Sequence, residues 1–183
     1  MKYKIIYADP PWTFKTYSAK GSEKKSALAH YNTMSKADIQ NMAIADIADE
    51  DCALFLWVTF PCLKEGLELI EKWGFTYKTV AFNWVKKNKI SDSWFWGLGY
   101  WTRSNSEICL LDTRGNPKRI SKSVHQILDD KIQAHSQKPE SARTKIVELM
   151  GDLPRVELFA RNETAGWDVF GNQVTNSITL KAS

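Results

Sequence analysis

Cysteine and histidine are scarce in this chain, three of each in 183 residues. Cys52, Cys62 and Cys109 are scattered and odd in number, and no Cys-x-x-Cys or paired-histidine spacing occurs, so neither a disulfide framework nor a zinc site is expected. His30, His125 and His135 lie too far apart in sequence to suggest a shared metal. Long hydrophobic runs are missing too. Nothing approaches the ~20 apolar residues of a spanning helix, and the N-terminus lacks a signal-peptide pattern, so no membrane partner and a cytoplasmic location are expected. Gly-x-Gly-x-x-Gly and the Walker phosphate loop are also absent. That weighs against a dinucleotide or a nucleoside triphosphate and leaves open a cofactor without phosphates.

What is present fits one domain with a real core. Apolar runs alternate with helical patterns, which predicts an α/β fold, a mostly parallel sheet with helices on both faces. The strands are expected in Tyr3–Ala8, 53–58, 80–85, 107–111, near Val156 to Ala160, and in 167–170. Ser35-x-x-Asp38 has the form of a capping box opening a helix with Ile39, Met42 and Ala43 on its apolar face. Pro61 can start a second helix, with Leu63, Leu67 and Ile70 on one face and Gly74 at its end. Pro139-Glu140 opens a third, with Ala142, Ile146 and Leu149 inward and Gly151 closing it. Residues 113–137 are polar and carry no clear pattern.

The first strand ends in Asp9-Pro10-Pro11-Trp12. Neither proline can donate to a ladder, so regular structure stops there. An acid, two rigid residues and a large ring then stand at a strand's carboxyl end, where open α/β sheets bind ligands. Such a turn can grip a flat base and its exocyclic amine; an ordinary turn is the plainer reading of the same four residues. Residues 13–32 form a long basic loop placed to fold over a substrate. A net charge of +4 permits nucleic acid without demanding it. Eight tryptophans are many for this length, and the 94–101 stretch holds three of them. Rings interleaved with lysines favour nucleic acid modestly, and rings so dense are expected to pack against something. Trp57, Trp84 and Trp167 lie in apolar runs and read as core, as does Cys109. Lys138 by itself reads as a surface lysine before a helix, Arg161 as a partner for Glu163 or Asp168, and Asn172 and Gln173 as turn formers.

The Asp9-Pro10-Pro11-Trp12 motif resembles that of adenine amino-methyltransferases of the permuted, β-class order. The closer resemblance is to the branch typified by the catalytic subunit of the eukaryotic messenger-RNA adenosine methyltransferase, with its bacterial and phage relatives. It runs from about Tyr3 to Gln173. The matching stretches are Tyr31-Asn32-Thr33-Met34-Ser35, Leu56-Trp57-Val58, Trp84-Val85-Lys86, and His135-Ser136-Gln137-Lys138-Pro139. Two more follow, Glu157-Leu158-Phe159-Ala160-Arg161 and Gly166 through Gln173.

The resemblance implies a Rossmann-like S-adenosylmethionine-dependent methyltransferase acting on the amine of adenine. It implies Asp9, Pro10, Pro11 and Trp12 as the catalytic motif. The cofactor side would be formed by Asp9, Pro10, Lys138, Phe159, Arg161, Asn162, Asn172 and Gln173, and the substrate side by Trp12, Tyr31 and Lys86. The expected partner is nucleic acid, DNA favoured over RNA, with a homodimer or a partner subunit as a further expectation. RNA methylation and a catalytically silent binding subunit are the alternatives; the intact acidic motif favours activity. Larger members carry an upstream segment that contacts the cofactor's adenine, and the chain starts eight residues before Asp9. Sequence specificity is expected from the loops at 13–32, 86–106 and 113–137, or from a second subunit.

Overall fold

A computed structural model describes residues 1–12, 34–99, 101–134 and 137–180. Seven strands form one sheet: β1 (Tyr3–Ala8), β2 (Ala48–Val58), β3 (Thr76–Trp84), β4 (Glu107–Arg114), β5 (Ile127–Leu128), β6 (Arg155–Leu158) and β7 (Asp168–Phe170). Their order is β5-β3-β4-β2-β1-β6-β7. Every pairing is parallel except those of β4, which runs antiparallel to both β2 and β3. Six strands therefore share one direction. Their carboxyl ends, and the amino end of β4, lie along the same edge of the sheet.

The helices are α1 (Lys36–Gln40), α2 (Ile44–Ile47), α3 (Leu63–Lys72) and α4 (Glu140–Met150). One face of the sheet packs Ile6, Leu54, Leu56 and Leu110 against Ile39, Ile44, Leu69, Ile70 and Trp73. The other packs Ile5, Tyr7, Phe55 and Trp57 against Ala142, Ile146 and Met150 of α4. The central strands are buried on both faces, which is why they read as unbroken apolar runs rather than as alternation. Trp57, Trp84, Trp167 and Cys109 are core residues, as the sequence suggests.

Several expectations change. The helix opened by Ser35 does form, and the Ser35 hydroxyl caps it by accepting from the Asp38 N–H, but it stops at Gln40 and a second short helix follows. Leu67 faces solvent; the buried side of α3 is Gly66, Leu69 and Ile70. Gly66 lies against Val58 so closely that an added Cβ would meet its Cγ1 at 2.5 Å. β2 starts at Ala48 and β3 at Thr76, each earlier than its apolar run. Ala160 lies beyond β6, because Phe159 has φ 61° and turns the chain out of the strand. The polar 113–137 stretch supplies the end of β4 and the two-residue β5. Among the described residues, no helix is long and apolar enough to cross a membrane.

Candidate active site

β1 delivers Asp9 to the carboxyl edge of the sheet, at the point where the chain order switches from β2 on one side to β6 on the other. Crevices at such switch points are the usual ligand sites of open α/β sheets. The turn after Asp9 is tight: the Trp12 N–H donates to the Pro10 carbonyl at 2.8 Å. The Trp12 indole N–H donates to the Trp57 carbonyl at 2.9 Å. This bond fixes the ring's orientation, and the ring packs partly on the first core face.

Lys138 is the second element. From 126 to 132 the chain follows the edge of β3, bonded to it by Asn83 N–H to Gln126 O, Val85 N–H to Leu128 O and Ile132 N–H to Lys87 O. The Ser141 hydroxyl then donates to Asp130 at 2.6 Å, tying the start of α4 to this segment. Lys138, two residues before α4, is thereby carried under the site. It is buried, not the surface lysine its neighbours suggest. Its ammonium donates to Asp9 Oδ2 at 2.9 Å and sits 3.2 Å from Glu107 Oε2. It also lies 5.6 Å from the centre of the Trp57 ring.

Glu107 opens β4 and completes a row of alternating charges. Its other oxygen accepts from Lys86 at 2.5 Å, giving Asp9–Lys138–Glu107–Lys86 in sequence of contact. Lys86, expected at the substrate, is thus ion-paired and mostly buried, with its ammonium 5.0 Å from the Trp84 ring. Burial pushes the Asp9 carboxyl above the ordinary carboxylate range, against the pull of Lys138. Burial also works against the Lys138 ammonium, but the two carboxylates outweigh it and raise its pKa. Glu107 is opposed by burial and still held below its ordinary value by Lys138 and Lys86. Glu107 was missed in the sequence. The available signal was a lone acid heading an apolar strand, with a lysine at the facing end of the preceding strand.

Under this row lies a second network. The Trp57 indole donates to the Tyr7 hydroxyl at 2.7 Å, and Arg143 sits over the Tyr7 ring while forming a two-pronged pair with Glu157 at 2.7 and 2.6 Å. A forked pair of this kind fixes both partners. The floor of the site is therefore rigid.

The remaining candidates gather at the ends of β6 and β7. Arg161, Asn162, Asn172 and Gln173 line one cavity of about 590 Å³ together with Glu163, Val174 and Thr175. Arg161 is near enough to Asp9 to act on its charge. Phe159 takes a left-handed backbone, uncommon for a residue with a side chain, and half-buries its ring against the first core face. That turn directs Ala160 and Arg161 toward the cavity. Gly171 closes the approach from β7, where an added Cβ would meet the Ala160 carbonyl oxygen at 2.0 Å. Tyr31 and the 13–32 loop lie outside the described residues. The described candidates thus fall into two adjoining groups, a charged row at Asp9 and a polar cavity beyond Arg161.

Residues 3–173 match the MT-A70 family. The chain belongs to that family. It is 33% identical over 192 residues to the Type II methyltransferase M.MunI of a Mycoplasma species, covering 96% of this chain and 79% of that protein. It is 29% identical over 182 residues to the N(6)-adenosine-methyltransferase MT-A70-like protein of Arabidopsis thaliana, and 27% identical over 177 residues to the human N(6)-adenosine-methyltransferase catalytic subunit METTL3. The chain spans 24% and 28% of the length of those two proteins. MT-A70 members are S-adenosylmethionine-dependent methyltransferases of the adenine-N6 type, and the seven-stranded sheet is their Rossmann-like fold.

Proposed function

We propose that this chain transfers the methyl group of S-adenosylmethionine to the exocyclic amine of adenine in DNA. The observation that carries the reading is the Asp9 carboxylate at the tip of β1, held by the buried ammonium of Lys138 beside the Arg161 cavity. The residues fit the cofactor chemically. Amide and guanidinium groups at Asn162, Asn172, Gln173 and Arg161 suit ribose hydroxyls and a purine edge. The Lys138 ammonium suits a carboxylate. A cavity of about 590 Å³ falls within the usual size range of small-molecule sites. The cofactor, when bound, supplies an electrophilic methyl on a sulfonium.

The protein's task is alignment. An aromatic amine delocalises its lone pair into the ring and is a weak nucleophile. In this reading, its two protons donate to the Asp9 carboxylate and to the Pro10 carbonyl, which localises the lone pair. Pro10 already accepts from Trp12, and a carbonyl oxygen has a second lone pair for the amine. Trp12, clamped by Trp57, gives the base a fixed face to stack on. Orientation of this kind can contribute ~7–11 kcal/mol of barrier lowering. Lys138 keeps Asp9 ionised within a buried site, and Glu107 with Lys86 keeps Lys138 in place.

DNA is preferred because M.MunI, a relative covered over 79% of its length, is named a Type II methyltransferase, an activity on DNA. The adenosine-methyltransferases at 27–29% identity support RNA as the second reading. Labelled S-adenosylmethionine with matched DNA and RNA oligonucleotides decides between them. Label in adenine of DNA is the expected result, and Asp9→Ala should abolish it. Transfer that survives Asp9→Ala would end the proposed role of that carboxylate.

A further inference from the structure

The connection from β3 to β4, residues 85–106, leaves and re-enters the sheet at the edge that bears Asp9. Its described residues are tied together by hydrogen bonds. The Asn105 side chain accepts from the Lys86 N–H at 2.8 Å and donates to the Lys86 and Phe95 carbonyls. Gly97 N–H donates to Ser104 O at 2.7 Å, and the Ser104 hydroxyl donates to Leu98 O at 3.0 Å. An added Cβ on Gly99 would meet the Thr102 carbonyl oxygen at 1.8 Å, so the two arms of the loop touch through backbone there.

The rings are expected to pack against something, whether the sheet edge, a protein partner or stacked bases, and within the chain only Phe95 does so in part. The others do not: Trp94 is 45% exposed, Trp96 66% and Leu98 89%. Exposure alternates along 94–98, with Phe95 and Gly97 half-buried between them. Alternation of this kind is that of an extended segment with one set of side chains facing water. Neighbours on that side stand ~6.7 Å apart, twice the ~3.4 Å thickness of one stacked base. Cations flank the rings. Lys87 lies 5.9 Å from the Trp94 ring, and exposed Lys89 and Arg103 have no ion pair among the described residues.

We propose that residues 94–98 are a base-stacking element, with Trp94 and Trp96 gripping an unpaired base beside the target adenine while Lys89 and Arg103 meet the flanking phosphates. The proposal rests on the reading of the chain as a nucleic-acid methyltransferase. Enzymes that work on a base must take it out of its stack, and the strand around it then needs other surfaces to lie on. A rigid loop provides them without an ordering cost at binding. Exposed cations on both sides, Lys89 before the rings and Arg103 after them, without an ion pair among the described residues, favour nucleic acid over a second protein surface.

The test compares a short fluorescent oligothymidylate with an abasic oligonucleotide of the same length, on the full chain. Trp96→Ala should weaken the first by ten-fold or more and the second by less than two-fold, and Trp96→Phe should restore most of the loss. Lys89→Ala should weaken both. Equal losses with the two oligonucleotides, or none with either, would overturn the stacking role. A wild-type dimer that Trp96→Ala converts to a monomer in sedimentation would assign this face to a second copy instead. Methyl transfer by the wild type separates the two levels of the argument: transfer to an oligonucleotide with no Trp96 effect removes only the stacking element, whereas absence of both transfer and binding removes the nucleic-acid reading as well.

Discussion

Asp112 should make the protein less stable as pH rises, with no change in fold. It lies on β4, opposite Leu54 of β2 and Tyr77 of β3, and is fully buried. It follows Ile108 and Leu110 on the first core face. Among the described residues, neither carboxylate oxygen has a hydrogen-bond partner. Burial alone pushes its pKa from 3.8 up to about 8. The unfolded chain gives up this proton near pH 4, the folded chain only near 8. The native state therefore holds its full advantage below pH 4 and loses it progressively as pH climbs to 8. Each pH unit in that window costs ~1.4 kcal/mol, or about 4 kcal/mol between pH 5 and pH 8.

Asp112→Asn keeps the shape and removes the titration. Urea unfolding of the wild type and this variant at pH 5, 6.5 and 8 isolates the contribution, because every other group is common to both. The variant's relative stability should grow by about 4 kcal/mol across the series. A constant difference would mean that Asp112 is ionised and solvated in the folded protein, and the argument from burial would fail.

Lys138→Ala should weaken cofactor binding by calorimetry far more than oligonucleotide binding; the opposite order would move Lys138 off the cofactor side. Glu107→Gln removes the charge shared by Lys138 and Lys86 and should cost roughly 1.5–3 kcal/mol in denaturant unfolding, as for a hydrogen bond to a charged group. Gly171→Ala forces a Cβ into the Ala160 carbonyl and should destabilise by roughly 1–3 kcal/mol, with cofactor affinity falling too; wild-type behaviour would show that the turn yields easily. Because burial raises the Asp9 pKa, the acid limb of the transfer rate should lie above the ordinary carboxylate range, and Asp9→Glu should shift that limb.

Much of the fold was legible because the central strands are buried twice over. Val156, Ile5 and Leu54 have no polar face to show, so their runs are continuous. Strand direction was not legible, since an apolar run is the same read either way. The clue to β4 lay in the connection: the described residues of 85–106 contain no helix, and a parallel neighbour needs a crossover. α3 was misread by one step because Gly66, apolar in neither size nor scale, is the residue that lets the helix approach Val58. At the site, the Asp9 turn announced itself through its prolines. The burial of Lys138 did not, because it depends on Asp130 and Ser141 fastening a polar segment along β3. Glu107 became visible only when two strands brought it within reach of both lysines.

The reversed direction of β4 has a consequence for how such a protein can diversify. A connection between two parallel strands must travel the length of the sheet, so any change in it disturbs the helix that fills the journey. The segment before β4 departs and lands on the same rim. It can lengthen, shorten or exchange its side chains while the scaffold beneath stays as it is, and whatever it gains is deposited next to the reacting groups. Homologues that modify different nucleic acids could therefore differ most in this one excursion and least in the strands that carry it.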